Sequence, residues 1–234
     1  MTDGHGRSLT FDVHYRARSE RRTVVVRETV IAGWTGRDRA KMNAHIAELA
    51  ELGVAPPVRT PLFYRVSSTR LTGAAAIEVC GEASSGEVEF VVLNDAGEMF
   101  IGVGSDHTDR RVESYDITTA KQMCDKPLAP ALWAWQDVRP HWERLVLRSW
   151  IGTGAARESY QEGSVGELLA PADLVAAARA AGAALGSGSV MFCGTLPALG
   201  GIRPAREFAC ELFDPVYQRR LTHAYVACAL PPVG

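Results

Sequence analysis

Glu87-Val88-Glu89-Phe90-Val91-Val92-Leu93-Asn94-Asp95-Ala96-Gly97-Glu98-Met99-Phe100-Ile101-Gly102-Val103 reads as two apolar, β-branched strands joined by a turn. Asn, Asp and Gly between the two runs are hairpin chemistry. Glu87 and Glu89 sit two apart, and side chains two apart on a strand share a face. Two carboxylates on one face repel unless a cation lies between them. Asp106, in Gly104-Ser105-Asp106-His107-Thr108-Asp109-Arg110, offers a third oxygen donor. Three hard donors suit Mg²⁺ or Mn²⁺, with Ca²⁺ an alternative, better than zinc. Such a site leaves positions open for water and for a 2-oxo acid. The same pattern also suits a solvent-facing strand with ordinary charges, Val88 and Phe90 packing inward. His107 is not counted as a ligand, because strand geometry turns it to the opposite side.

Outward from the hairpin, the chain is mostly strands with a few helices. Leu9, Phe11 and Val13 alternate with polar residues and Thr23 to Arg27 follows, so residues 8–33 read as two strands before the turn Gly33-Trp34-Thr35-Gly36. Arg37 to Leu52 is helical, with Met42, Ile46, Leu49 and Leu52 at three- and four-residue spacing. Gly53 and Pro56-Pro57 stop it. Short strands are expected at Leu62 to Val66, Ala76 to Val79, Ser189 to Cys193, Phe208 to Phe213 and His223 to Leu230. Val138 to Trp150 ends in another strand. Asp116 to Met123 is weakly helical, and Pro171 to Ala184 is an alanine-rich helix. This order does not alternate βαβα, which disfavours a doubly wound parallel sheet. Neither a GxGxxG after a strand nor a Walker motif nor a nucleophile elbow is found.

Composition narrows the function classes. At 234 residues the chain suffices for a substantial core. The formal charge of -2 provides no polyanion-binding field, and Glu20 interrupts the basic cluster Arg16-Ala17-Arg18-Ser19-Glu20-Arg21-Arg22, which argues against nucleic acid. No apolar run approaches the roughly 20 residues of a membrane span, and the start has no basic-then-apolar signal pattern. Five cysteines, widely spaced and without a CxxC pair, fit reduced thiols in a cytoplasmic protein rather than a zinc-thiolate site. Cys193, beside Phe192, reads as a small core residue.

Three further groups carry candidate chemistry. His45 and Glu48 are three apart on the expected helix, so the acid can orient the imidazole as a general base; the pair equally suits an amphipathic helix surface. Lys121 and Lys126 flank Cys124, and a lysine there can neutralise an oxyanion or serve solubility alone. Arg110 is expected to pair with Asp106 or Asp109 and fix the loop. Gly194-Thr195, after an apolar strand, can hold a carboxylate through backbone N–H groups and a hydroxyl, or can simply be a turn.

These pieces occur in an order that resembles the fumarylacetoacetate hydrolase superfamily, in a divergent bacterial branch. The similar segments are His45-Ile46-Ala47-Glu48, Pro56-Pro57, Pro61 to Ser67, Glu87 to Leu93, Ser105 to Arg110, Lys121 to Pro130, Tyr160 to Ser164, which resembles a turn of the family, and Gly188 to Gly200. They run from about residue 40 to the C-terminus. The resemblance implies an α+β, β-rich fold, a mixed β-roll or sandwich with a few inserted helices. It implies one domain over residues 1–234, with N-terminal strands and a lid helix over about 8–70 and the roll with its metal site over about 71–234. It also implies a homodimer acting on a small 2-oxo acid with Mg²⁺ or Mn²⁺. Glu87, Glu89 and Asp106 would bind the metal, with Lys121 near it. His45 and Glu48 would form a lid dyad that activates water, and Gly194 and Thr195 would bind substrate.

The activity expected from the resemblance is C–C hydrolysis of an acylpyruvate-like acid. The alternatives are a lyase (decarboxylase or hydratase) at the same site, and a non-catalytic metabolite-binding protein on the same scaffold. Departures from the family pattern motivate the last. Only a hairpin joins Glu89 to Asp106 where the family inserts a short helix. Ser105 and Thr108 replace Asn and Ser, Leu196 intrudes after Gly194-Thr195, and the lysine segment is one residue short.

Overall fold

The computed structural model describes residues 6–51, 57 and 59–233. Strands β1 (Arg7–His14), β2 (Ser19–Val26), β3 (Glu28–Gly33), β4 (Leu62–Val66), β5 (Ala76–Cys80), β6 (Val88–Asp95), β7 (Glu98–Ser105) and β8 (Ala131–Ala134) come first. β9 (Val146–Ile151), β10 (Glu158–Ser164), β11 (Ser189–Phe192), β12 (Glu207–Asp214) and β13 (Arg219–Leu230) follow. The principal helices are α1 (Arg39–Glu51), α2 (Ile117–Met123) and α3 (Pro171–Ala180). An eight-stranded sheet runs β2-β1-β8-β7-β6-β11-β3-β4, and a five-stranded sheet runs β10-β9-β12-β13-β5. The fold is thus mixed and strand-rich with few helices, as the sequence leads one to expect. No helix among the described residues is long and apolar enough to cross a membrane.

The central strands of the larger sheet are buried on both faces, and alternation sorts their side chains into two cores. Val88, Phe90 and Val92 of β6 face the five-stranded sheet and join Leu147, Tyr160, Phe208, Leu212 and Tyr225. Phe90 and Trp142 meet edge to face at 4.9 Å. Val91 and Leu93 point the other way, into a core shared with Phe11 and Val13 of β1, Val24 of β2, Ile31 of β3 and Val66 of β4. Strands from both ends of the sheet reach that one core, so the sheet curls around it. The resulting roll explains why β6 is a continuous apolar run rather than an alternating one.

Four expectations need correction. Residues 8–33 hold three strands, because Thr29, Val30, Ile31 and Ala32 form β3, buried on both faces between β11 and β4. Such a run lacks alternation and merges with the glycine turn beyond it. Tyr160 to Ser164 is not a turn but the end of edge strand β10, paired with β9. α1 begins at Arg39, where Asp38 Oδ1 accepts from the N–H groups of Ala40 and Lys41. α3 stops at Ala180, four residues early, because Gly182 turns the chain at φ +96°. All five cysteines are free; Cys124, Cys193 and Cys210 are buried and Cys80 and Cys228 exposed.

Gly104 sits where β7 passes closest to its neighbours. A Cβ there would lie 2.6 Å from the Pro127 carbonyl oxygen and 2.8 Å from Phe192 Cε1. Gly104→Ala is therefore expected to cost about 1–3 kcal/mol in urea unfolding. Gly186→Ala, where nothing lies within 4 Å, should stay within about 0.5 kcal/mol of the parent.

Candidate metal centre

The register of the β6–β7 hairpin decides where the acids meet. Asp95 pairs with Glu98 across the two-residue turn Ala96-Gly97, whose φ values are 49° and 81°. Positive φ at both central positions is the type I′ turn, whose twist matches that of the strands. Counting outward, Val88 lies opposite Ser105. Next beyond them are Glu87 and Asp106, and the Asp106 N–H donates to the Glu87 carbonyl at 3.0 Å. Glu89 lies two residues along from Glu87 on the same face. One carboxylate oxygen from each of Glu87, Glu89 and Asp106 lies within 4.8 Å of the others. The direct hairpin, with no inserted helix, is enough to bring all three together.

Each acid has protein partners. Asp106, fully buried, takes Lys121 Nζ on Oδ2 and Lys126 Nζ on Oδ1, the latter at 2.9 Å. Glu89 Oε2 accepts from the Gly194 N–H at 2.7 Å. Glu87 Oε1 lies 3.2 Å from Arg110 Nη2, and Arg110 also binds Glu113 and Ser85. Arg110 thus pairs with Glu87 and Glu113, not with Asp106 or Asp109; Asp109 instead caps the helical turn that starts at Arg110.

Burial and charge separate the three carboxyls. Burial raises Glu89 well above the ordinary carboxylate range, and the neighbouring Asp106 charge adds to the rise. Burial also raises Glu87, outweighing Arg110 and Lys121. Asp106 is pushed up by burial but pulled further down by Lys121 and Lys126, and ends well below the ordinary range. Burial lowers Lys121, yet Asp106 and Glu87 more than reverse this and keep it firmly charged. Two carboxyls are therefore short of positive charge at a place where three hard oxygen donors converge. That donor set fits a divalent cation such as Mg²⁺, Mn²⁺ or Ca²⁺.

The remaining candidates fall into three groups. Lys121, on α2 with Asp116 as its N-cap, reaches the cluster as expected. Gly194, at φ +93°, uses its N–H to hold a carboxylate, but that carboxylate belongs to Glu89. Thr195 Oγ1 donates to the Val88 carbonyl and accepts from Gln161 Nε2, both at 2.7 Å, so its proton is committed within the protein. His45 and Glu48 belong to α1, but their side chains lie outside the described residues, as do Pro56 and the helix-stopping Gly53. His107 is turned away from the acids, as strand geometry requires. Its Nδ1 bonds Tyr225 Oη and its Nε2 bonds Ser84 Oγ, both at 2.8 Å.

Two residues have structural roles that the sequence reading does not assign. Lys126 is wholly buried on Asp106. Its signal was Pro127, which forces the preceding residue out of a helix and so allows the chain to return to the cluster after α2. Gln161 links the sheets: Oε1 accepts from Val88 N and Ser149 Oγ, and Nε2 donates to Thr195 Oγ1 and the Leu196 carbonyl. Nothing in its spacing announces that position.

Glu87 and Glu89 open onto a cavity of about 910 Å³, with Asp106 buried behind its wall. Arg110, Lys121, Gln161 and Thr195 line it beside the two acids, and so do Lys41 and Met42 of α1.

Comparison with known proteins agrees with this architecture. A family model described as Protein of unknown function (DUF2848) matches residues 32–225. No curated protein sequence matches the chain. Among solved structures, the fumarylpyruvate hydrolase from Pseudomonas aeruginosa in complex with Mn²⁺ and pyruvate superposes with a TM-score of 0.65 at 16% identity, covering 98% of this chain and 99% of that one. The 5-carboxymethyl-2-hydroxymuconate delta-isomerase from Mycobacterium smegmatis gives 0.62 at 16% identity, covering 92% and 88%. A yeast fumarylacetoacetate hydrolase family protein gives 0.61 at 14% identity, covering 87% and 94%. The fold is therefore that of the fumarylacetoacetate hydrolase family.

Two outcomes are expected. Mn²⁺ binding, followed by calorimetry, should release protons, because the raised Glu87 and Glu89 carboxyls compete for them; Glu89→Ala should abolish binding. Burial, followed by the Lys126 charge, holds His107 at about 3. The unfolded chain therefore protonates this imidazole below about 6.5 while the folded chain does not. His107 then contributes stability above that pH which is lost as pH falls toward 3, by at most about 1.4 kcal/mol per pH unit. Urea unfolding of His107→Gln should show a correspondingly shallower decline between pH 6 and 4.

Proposed function

The chain belongs to the DUF2848 family, and two of its three clustered carboxylates line a cavity; we propose that it is a metal-dependent hydrolase cleaving a C–C bond in an acylpyruvate-like 2-oxo acid. The observation that carries this reading is the convergence of Glu87, Glu89 and Asp106 within 4.8 Å beside a charged lysine. Glu87, Glu89 and Asp106 would hold Mg²⁺ or Mn²⁺. When bound, the cation would supply Lewis-acid stabilisation of negative charge on the 2-oxo acid.

The chain's own groups divide the remaining work. Lys121 Nζ, anchored by Asp106, sets a permanent positive charge beside the substrate's carboxylate end and favours charge developing there. Lys126 and Arg110 neutralise Asp106 and Glu87 from behind and keep those oxygens aimed at the cluster. Gly194 N–H and Gln161 fix Glu89 and the start of β6, so the ligand oxygens are pre-positioned. Thr195 Oγ1, with its proton given to Val88, has a lone pair left to orient a substrate donor. In this reading His45 and Glu48 would act as a dyad, the imidazole taking a proton from the attacking water. α1 carries both residues and contributes Lys41 and Met42 to the cavity wall, which suits a helix that closes over substrate.

Products separate this reaction from its neighbours. With Mn²⁺, an acylpyruvate should yield pyruvate and a carboxylic acid, detected by proton NMR. Carbon dioxide from oxaloacetate would instead assign decarboxylation, and an unsaturated acid would assign dehydration. His45→Ala should retain Mn²⁺ and lose about 10²–10⁴-fold in turnover. Wild-type turnover in that variant would remove the dyad from the mechanism.

A further inference from the structure

The cavity has a charged part and an apolar part. Glu87, Glu89, Arg110 and Lys121 line the first. Met42, Leu168, Leu196, Pro197, Ala198 and Ile202 line the second. Leu168 and Leu196 are buried, each 3% exposed, and give a fixed apolar surface. Ile202 is 57% exposed and stands on the cavity wall, on the loop between β11 and β12. That loop is tethered rather than loose. The Arg203 guanidinium sits over the Tyr160 ring at 5.1 Å and bonds the Leu199 and Gly201 carbonyls and Glu158. An aliphatic side chain held in water at the edge of a site loses that exposure when an apolar group covers it.

Four further charged residues line the cavity, two cations and two anions. Arg37 is engaged by Glu143 at 2.6 Å. Asp38 is engaged by the N–H groups of α1, and Glu167 Oε1 accepts from the Ser164 N–H at 3.1 Å. Lys41 is exposed on the first turn of α1.

Resting on the 2-oxo acid reading above, we propose that the substrate's distal portion is an uncharged aliphatic acyl tail, seated against Ile202 and Leu196. Against those two side chains a second terminal carboxylate would lose water without gaining a hydrogen-bond donor from them.

The test is calorimetric binding to the full chain loaded with Mn²⁺, using pyruvate, 2-oxohexanoate and 2-oxoadipate. The last two have six carbons each and differ only in whether the far end is a methyl or a carboxylate. 2-Oxohexanoate is expected to bind about tenfold or more tightly than 2-oxoadipate. Ile202→Lys should remove or reverse that preference and leave pyruvate binding unchanged, which also shows that the variant is folded. Equal or tighter binding of 2-oxoadipate by the parent, while pyruvate binds, overturns the tail assignment alone. Failure of all three acids to bind overturns the 2-oxo acid reading, and the tail assignment with it.

Discussion

Three carboxylates held within 4.8 Å of one another, two of them sealed from solvent, are the constraint around which the rest of this molecule is organised. Unit charges about 4 Å apart repel by roughly 4 kcal/mol at an intermediate effective dielectric. Burial adds a desolvation cost to each. Lys121 and Lys126 on Asp106, and Arg110 on Glu87, offset part of it. The compensation is uneven. Asp106 has two ammonium groups, while Glu89 has a single backbone N–H, and the carboxyl with least compensation is the one whose proton affinity rises most. An arrangement left short of positive charge at its centre is suited to receive a cation.

The fold meets that constraint through register. The turn at Ala96-Gly97 makes Glu87 and Asp106 cross-strand neighbours, so a short hairpin does what an inserted helix does elsewhere in the superfamily to which the sequence is similar. The second sheet fixes the open end of this hairpin. Gln161 of β10 holds Val88, Thr195 and Leu196 together, and Tyr225 of β13 bonds both Ser105 and His107. The ligand positions are therefore set by two sheets at once. Displacing one element would move carboxylates that cannot approach or separate without electrostatic cost.

The cavity beside the cluster is lined by two kinds of surface: Glu87, Glu89, Arg110 and Lys121 are charged, and Met42, Leu168, Leu196 and Ile202 are apolar. The departures from the family pattern do not dismantle the site. Ser105 is used, bonding the Glu87 N–H and Tyr225, and Leu196 becomes part of the wall.

Much of this was legible in the chain. The Asn-Asp-Ala-Gly turn and the apolar runs beside it were enough to fix a hairpin but not its register: a turn over all four residues would set Leu93 opposite Glu98, whereas the strands run on to Asp95 and make Glu87 and Asp106 neighbours. Glu89 followed from the two-residue period. Lys121 came from the ordered series of motifs. Strand β3 was missed because burial on both faces erases alternation, and β10 because an edge strand rich in Gly, Ser and Glu looks like a turn. The roles of Lys126, Gln161 and Tyr225 were hidden for a different reason. Their partners are 20, 73 and 120 residues away, and no local pattern encodes a long-range hydrogen bond. What the sequence determined alone was which oxygens share a hairpin and a face, since those depend on backbone periodicity. Only the tertiary structure decided which cations approach them and which surface lies beside them, because those depend on how a curled sheet and its partner bring distant segments into one place.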